Sequence, residues 1–139
     1  WNKLYGKRGF TQYQCVIPLE ESRAGLTELL QTISKHKQGS FLAVLKRFGK
    51  ESLPGLSFPM EGYTLALDFP MTDTACSLMT ELDTIVHKYN GRLYLAKDSR
   101  MNASFFKTSY KSSKDFQAFK LSIDPYHQFE SHQSNRLGV

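Results

Sequence analysis

The sequence predicts an α+β fold, an antiparallel four-stranded sheet with two helices on one face and a helical tail behind it. Three observations carry this. Short β-rich runs and longer runs of helical apolar spacing follow one another as strand, helix, strand, strand, helix, strand. Glycine or proline punctuates most of the junctions between them. The chain has 139 residues, 40% of them apolar and 13% aromatic, which suffices for one buried core and is too apolar for disorder.

Thr11 to Pro18 (TQYQCVIP) is β-rich and closed by a proline, so it reads as the first strand. A helix is predicted from about Glu21 to Lys37. There Leu26, Leu29, Leu30 and Ile33 recur at three-and-four spacing, acidic residues come early, lysines late, and Gly39 follows. Phe41 to Phe48 (FLAVLKRF) is short, apolar and bounded by glycines, a second strand. Residues 49–62, with two prolines and three glycines, form a loop. Tyr63 to Phe69 (YTLALDF) is the third strand, stopped by Pro70.

The second helix runs from about Asp73 to Tyr89. Its apolar stripe is Ala75, Leu78, Met79, Leu82, Ile85, Val86 and Tyr89, with Thr72 or Asp73 as N-cap and Asn90-Gly91 as the stop. Arg92 to Ala96 is a short fourth strand. This order defines the ferredoxin-like unit, βαββαβ. The core is expected over residues 9–98 and the tail over 99–139. In the tail, helices are expected near Ala103 to Lys107 and Lys114 to Ser122, then a turn at Asp124-Pro125 and a last turn from Ser131 to Leu137. Phe105, Phe116, Phe119, Ile123 and Phe129 are expected to anchor it.

Composition excludes several classes. The formal charge of +5 is mild, and its densest stretch (Lys35, Lys37, Lys46, Arg47, Lys50) reads as a solvated surface before a phosphate-binding one. Cys15 and Cys76 are too few for a disulfide framework, and the four histidines have no ligand spacing, so no metal is expected. No run approaches the roughly 18 apolar residues of a membrane span, and no signal peptide opens the chain. Trp1 in place of an initiator methionine reads as the start of an excised piece.

In such a unit one sheet face lies under the helices and the other is open. Alternation assigns Tyr13, Cys15 and Ile17, with Tyr63, Leu65, Leu67 and Phe69, to the helix side. Gln12, Gln14, Thr64 and Ala66 then lie mid-sheet on the open side, joined by Leu42, Val44, Lys46 and Phe48 from the second strand. Apolar walls with a few orienting polar groups fit a ligand pocket; a covering domain or tail fits equally well.

The segments GFTQYQCVIP, FLAVLKRFG, LSFPMEGYTLALDFP, GRLYLAKDSR and IDPYHQF, in this order from about Gly9 to Leu137, resemble one family. They are similar to the C-terminal, substrate-binding domain of decaprenylphosphoryl-β-D-ribose 2′-oxidase-like FAD-linked oxidoreductases, bacterial flavoproteins of the vanillyl-alcohol-oxidase type. The resemblance implies FAD held mainly by an N-terminal domain of the same polypeptide, and oxidation of a sugar or sugar-alcohol hydroxyl by hydride transfer. The substrate class it implies includes polyprenylphosphoryl pentoses, and the further partner a reductase. It implies a cytoplasmic location or one peripheral to the inner membrane, and an inactive isolated fragment.

Residue by residue, the resemblance makes Lys97 the catalytic lysine beside the flavin ring and Tyr94 its neighbour there. Gln12, Gln14 and Lys46 become substrate-binding, with Leu42, Val44 and Phe48 as apolar wall. Mycobacterial members carry Asn and Cys where this chain has Thr64 and Ala66, which leaves substrate identity open and removes the target of thiol-directed inhibitors. Asp98 and Arg100 read as a local ion pair. Two other classes share the fold. An RNA-binding module would need aromatics where Gln12, Gln14, Thr64 and Ala66 stand, so nucleic acid is not expected. A regulatory small-molecule-binding domain would need no flavin domain beside it.

Overall fold

The computed structural model describes residues 3, 6–51 and 55–139. The reading of Trp1 and the middle of the 49–62 loop therefore lie outside the described residues. Four strands are present: β1 (Phe10–Pro18), β2 (Ala43–Phe48), β3 (Gly62–Pro70) and β4 (Arg92–Leu93). They pair antiparallel in the order β2-β3-β1-β4. Helices α1 (Ser22–Lys35) and α2 (Asp73–Lys88) are the two crossovers. The α+β ferredoxin-like prediction holds, with β1 and β3 as the central pair.

These two strands are paired along their whole nine-residue length, from Phe10 opposite Pro70 to Pro18 opposite Gly62. Their helix-side residues are the core: Tyr13, Cys15 and Ile17 from β1, with Leu65, Leu67 and Phe69 from β3, all at most 5% exposed. Burial pushes the Cys15 thiol up to about 12, which makes it a packing residue. The predicted stripe of α2 is buried from Ala75 to Val86. Thr72 caps this helix by accepting a hydrogen bond from the Ala75 amide at 3.2 Å.

α1 departs from its predicted face, since Leu30 is 52% exposed and the buried residues are Ser22, Gly25, Leu29, Thr32 and Ile33. Gly25 accounts for this. A Cβ there would stand 2.6 Å from Ile17 Cδ1, so the helix leans on β1 through its glycine and turns Leu30 outward. Ser22 fixes the entry, its hydroxyl shared between the carbonyls of Ile17 (2.8 Å) and Pro18 (2.7 Å). The outer ends of the helices are tied by Glu28, which accepts from Lys88 at 2.7 Å and from Tyr89 at 2.6 Å. The bond from Lys88 is the main reason the Glu28 carboxyl titrates below its ordinary range.

Two strands are shorter than expected. β2 begins at Ala43, because beyond Leu67 the next inward amide, that of Asp68, is taken by the Ser40 hydroxyl at 2.8 Å. Phe41 and Leu42 are consequently exposed, at 69% and 44%. The fourth strand stops at Leu93, and Leu95–Lys97 forms a 3-10 turn in place of its predicted last residues.

The chain divides into two compact units, the second having 55–57 and 99–139 as its described residues. Its helices are α3 (Ala103–Ser109), α4 (Ser113–Ile123) and α5 (His132–Leu137). Met101, Phe105, Phe106, Tyr110 and Leu137 are buried, with the Phe106 and Tyr110 rings 5.4 Å apart. Asn102 caps α3 and Ser131 closes a capping box on α5. Of the expected anchors Phe105 is buried, but Phe119, Ile123 and Phe129 are 59%, 66% and 79% exposed. Phe119 and Ile123 stand at helical spacing in α4 and Phe129 lies beyond it, and neither spacing nor composition specifies that anything covers them.

Candidate functional site

Residues paired directly across strands share a face, so the register writes out the open side of the sheet in rows. One row reads Lys46, Thr64, Val16, Arg92. The next reads Val44, Ala66, Gln14 and then Tyr94, whose amide donates to the Gln14 carbonyl at 2.9 Å. A third pairs Asp68 with Gln12. Phe48 lies at the end of β2 on the same side, opposite Gly62. The structure thus brings Gln12, Gln14, Val44, Lys46, Phe48, Thr64, Ala66 and Tyr94 onto one face. Leu42 precedes the paired part of β2 and has no place in these rows.

One end of the face is roofed. Phe58, 5% exposed, stacks on Tyr94 (centroids 4.5 Å, 20° between planes) and meets Phe48 edge-on at 5.9 Å. Phe48 belongs to the β2 edge and Tyr94 to the β4 edge, so the ring between them spans the central strands. Beneath this end Val16 and Thr64 are buried, at 0% and 1%. Arg92 is also buried, and its guanidinium donates to the Glu51 carboxylate at 2.8 Å and to the Pro59 carbonyl at 3.2 Å. These bonds pin both flanks of the loop onto the sheet.

The other end is polar and half open. Gln14 donates its amide to the Thr64 hydroxyl at 3.2 Å, and Gln12 donates to the Asp68 carboxylate at 2.9 Å. Both glutamines are partly accessible, whereas Asp68 is 2% exposed. Two cations stand at the margins. Lys46 is exposed on edge strand β2, and Lys97 is exposed at the end of the 3-10 turn, three residues beyond Tyr94. The Lys97 amide donates to the Tyr94 carbonyl at 3.0 Å, which fixes the turn. Among the described residues neither ammonium has an ion-pair or hydrogen-bond partner.

Chemically, this face can offer the two partly accessible amides to a hydroxyl-rich ligand, against the apolar surface of Val44, Ala66 and Phe48, whereas Thr64, 1% exposed, braces Gln14 and is not open to a ligand. It carries no thiol nucleophile, because Cys15 points to the helices. Among the described residues no group of three or more His, Cys, Asp or Glu could hold a metal ion, and no helix is long and apolar enough to cross a membrane. The four residues that sequence reasoning did not single out are Phe58, Glu51, Arg92 and Asp68. Arg92 and Asp68 lie in the quoted motifs and in the alternation pattern. Glu51 and Phe58 reach the face only by loop closure, which leaves no periodic trace.

Fold and face together define the class: a ferredoxin-like unit whose uncovered sheet face mixes amide, hydroxyl and apolar side chains. Within that class the chain belongs to the D-arabinono-1,4-lactone oxidase family, whose sequence model matches residues 4–137. It is 38% identical over 137 residues to the decaprenylphosphoryl-β-D-ribose oxidase of Mycolicibacterium smegmatis, covering 99% of this chain and 30% of that protein. It is also 32% identical over 132 residues to an uncharacterized protein in the mprA 5′ region of Streptomyces coelicolor, covering 94% of this chain and 36% of that one. The chain spans about a third of the length of the curated relatives it matches.

Proposed function

We propose that this chain is the substrate side of an FAD-dependent oxidoreductase that oxidises a sugar or sugar-alcohol hydroxyl to a carbonyl. The supporting observation is the juxtaposition of Gln12, Gln14, Thr64 and Val44 on one half-open face with Lys97 and Tyr94 at its edge. Residues 9–98 would be the substrate unit and 99–139 the tail, the flavin-binding domain being another part of the same polypeptide. The relatives, about three times as long as the match, leave ample length for it. A polyprenylphosphoryl pentose is the substrate class closest to the named relative, and a reductase is the implied electron-transfer partner.

The described residues fit one end of FAD. They offer an aromatic surface and an exposed cation, and among them no glycine-rich cradle for a pyrophosphate. When bound, FAD supplies the hydride acceptor. Lys97 offers a positive charge for the negative charge that gathers at the ring on reduction. Tyr94, clamped by Phe58 and by the Gln14 carbonyl, holds the start of the turn that carries Lys97. Gln12 and Gln14 orient hydroxyls, and Lys46 provides a cation at the opposite edge. The Phe58 roof keeps water from one end of the wall.

The test is anaerobic flavin reduction in the full-length protein, with D-arabinono-1,4-lactone and a polyprenylphosphoryl ribose as probes. Gln14→Ala is expected to raise the apparent KM about tenfold, one good hydrogen bond's worth, with flavin content unchanged. An unaltered KM would remove Gln14 from the wall. Ala66→Cys is expected to place a reactive thiol on the wall, since Ala66 is half-buried on the open side, unlike Cys15. Maleimide mapping by mass spectrometry should find position 66 modified in the folded protein and Cys15 protected; the reverse would mean the β3 register is wrong.

A further inference from the structure

Asp68 is a carboxylate on the open face, 2% exposed, in a row where a ligand wall has no need of a negative charge. Among the described residues its carboxylate meets one side chain, that of Gln12, at 2.9 Å. We infer that Asp68 is a positioning residue for substrate binding: it locks the Gln12 amide so that the outward atom is the carbonyl oxygen. The inference rests on the reading of this face as the sugar wall and deepens it.

A glutamine side chain can present either end, and nothing intrinsic selects one. A carboxylate has no proton to give, so the atom of Gln12 that meets it has to be the amide nitrogen. The carbonyl oxygen is thereby turned away from Asp68, as an acceptor for a ligand. Gln14 has no such lock, because the Thr64 hydroxyl it meets at 3.2 Å can accept or donate. The two glutamines lie on one face about 7 Å apart along the strand. They therefore differ in kind: Gln12 is a fixed acceptor and Gln14 an adaptable group. A fixed acceptor beside a buried negative charge selects a neutral hydroxyl and repels a phosphate or carboxylate. The hydroxyl-bearing end of the sugar is thus assigned to the Gln12 end of the wall, and any anionic group to the Lys46 end.

The experiment measures KM and the limiting rate of flavin reduction in the flavin-loaded full-length protein, using the same two sugar probes. Asp68→Asn can offer its own amide to Gln12 and release or reverse the lock. It is expected to raise KM about tenfold while the limiting rate stays within about twofold. The swap Gln12→Glu with Asp68→Asn restores a donor–acceptor pair and again leaves an oxygen facing out. It is expected to return KM to within about threefold of the parent. A KM unchanged by Asp68→Asn overturns the inference, and so does a raised KM that the swap fails to rescue. If Asp68→Asn alone does not retain flavin, the swap decides: near-parental KM supports the lock, and a KM raised about tenfold overturns it. Gln14→Ala, run alongside, separates the two levels. If it too leaves KM unchanged, the sugar-wall reading has failed; if it alone raises KM, only the role of Asp68 has.

Discussion

Replacing Lys97 by alanine in the full-length protein is expected to slow flavin reduction by sugar about a hundredfold to a thousandfold, the loss typical of removing one preorganised electrostatic group. The side chain itself is exposed, so the effect should appear in rate and leave folding intact. Its backbone is held in place. The Lys97 and Asp98 amides donate to the Tyr94 and Leu95 carbonyls, and Tyr94 is held by Gln14 and stacked under Phe58. These bonds fix the backbone from which the lysine side chain extends. Flavin content and thermal midpoint serve as controls. Reduction within about fivefold of the parent would take Lys97 out of the chemistry.

Gly62→Ala is expected to be the most damaging single methyl in the sheet. A Cβ at this position would sit 2.0 Å from the Ile17 carbonyl oxygen and 2.9 Å from its carbon, both backbone atoms that cannot swing aside. Gly62 also has φ of +157° and pairs with both Pro18 and Phe48, so three strands meet at the glycine. Relieving the contact means opening the β1–β3 ladder at the end that the Phe58 roof covers. A loss of more than about 3 kcal/mol in urea unfolding is expected, within the range of severe backbone effects. Gly39→Ala is the control, since a Cβ there meets nothing within 4 Å. Equal midpoints for the two variants would mean that the close approach is not needed.

The layout of strands and helices was legible because each depends on local periodicity. The alternation of β1 and β3 divides Gln12, Gln14, Thr64 and Ala66 from Cys15, Ile17, Leu65 and Leu67 without any knowledge of pairing. It could not reveal which polar residues meet across strands, so the contact between Asp68 and Gln12 was not foreseen. The α1 face was misread at Leu30 because a hydrophobic stripe presumes that the helix meets the sheet through its largest residues. Here Gly25 permits a closer approach and rotates the contact. The fourth strand was overextended because RLYLA has strand-like composition while the backbone already turns at Leu95. The roof was invisible for a different reason. Glu51 and Phe58 flank a loop, and their bonds to Arg92 and contacts with Tyr94 and Phe48 follow from where its ends are pinned. In the tail, the apolar residues were visible, but whether each is covered is a property of its neighbours in space.

On the proposed reading, the sugar binds on the open face of the sheet. This is tested most directly by the alkylation rate of the thiol introduced by Ala66→Cys in the flavin-loaded full-length protein, with and without a sugar that reduces the flavin. Position 66 lies between Val44 and Gln14 in the middle row of that face. A saturating sugar is expected to slow alkylation by at least about tenfold, with half-protection near its KM. Alkylation at the same rate with and without saturating sugar would place the sugar elsewhere and contradict the account.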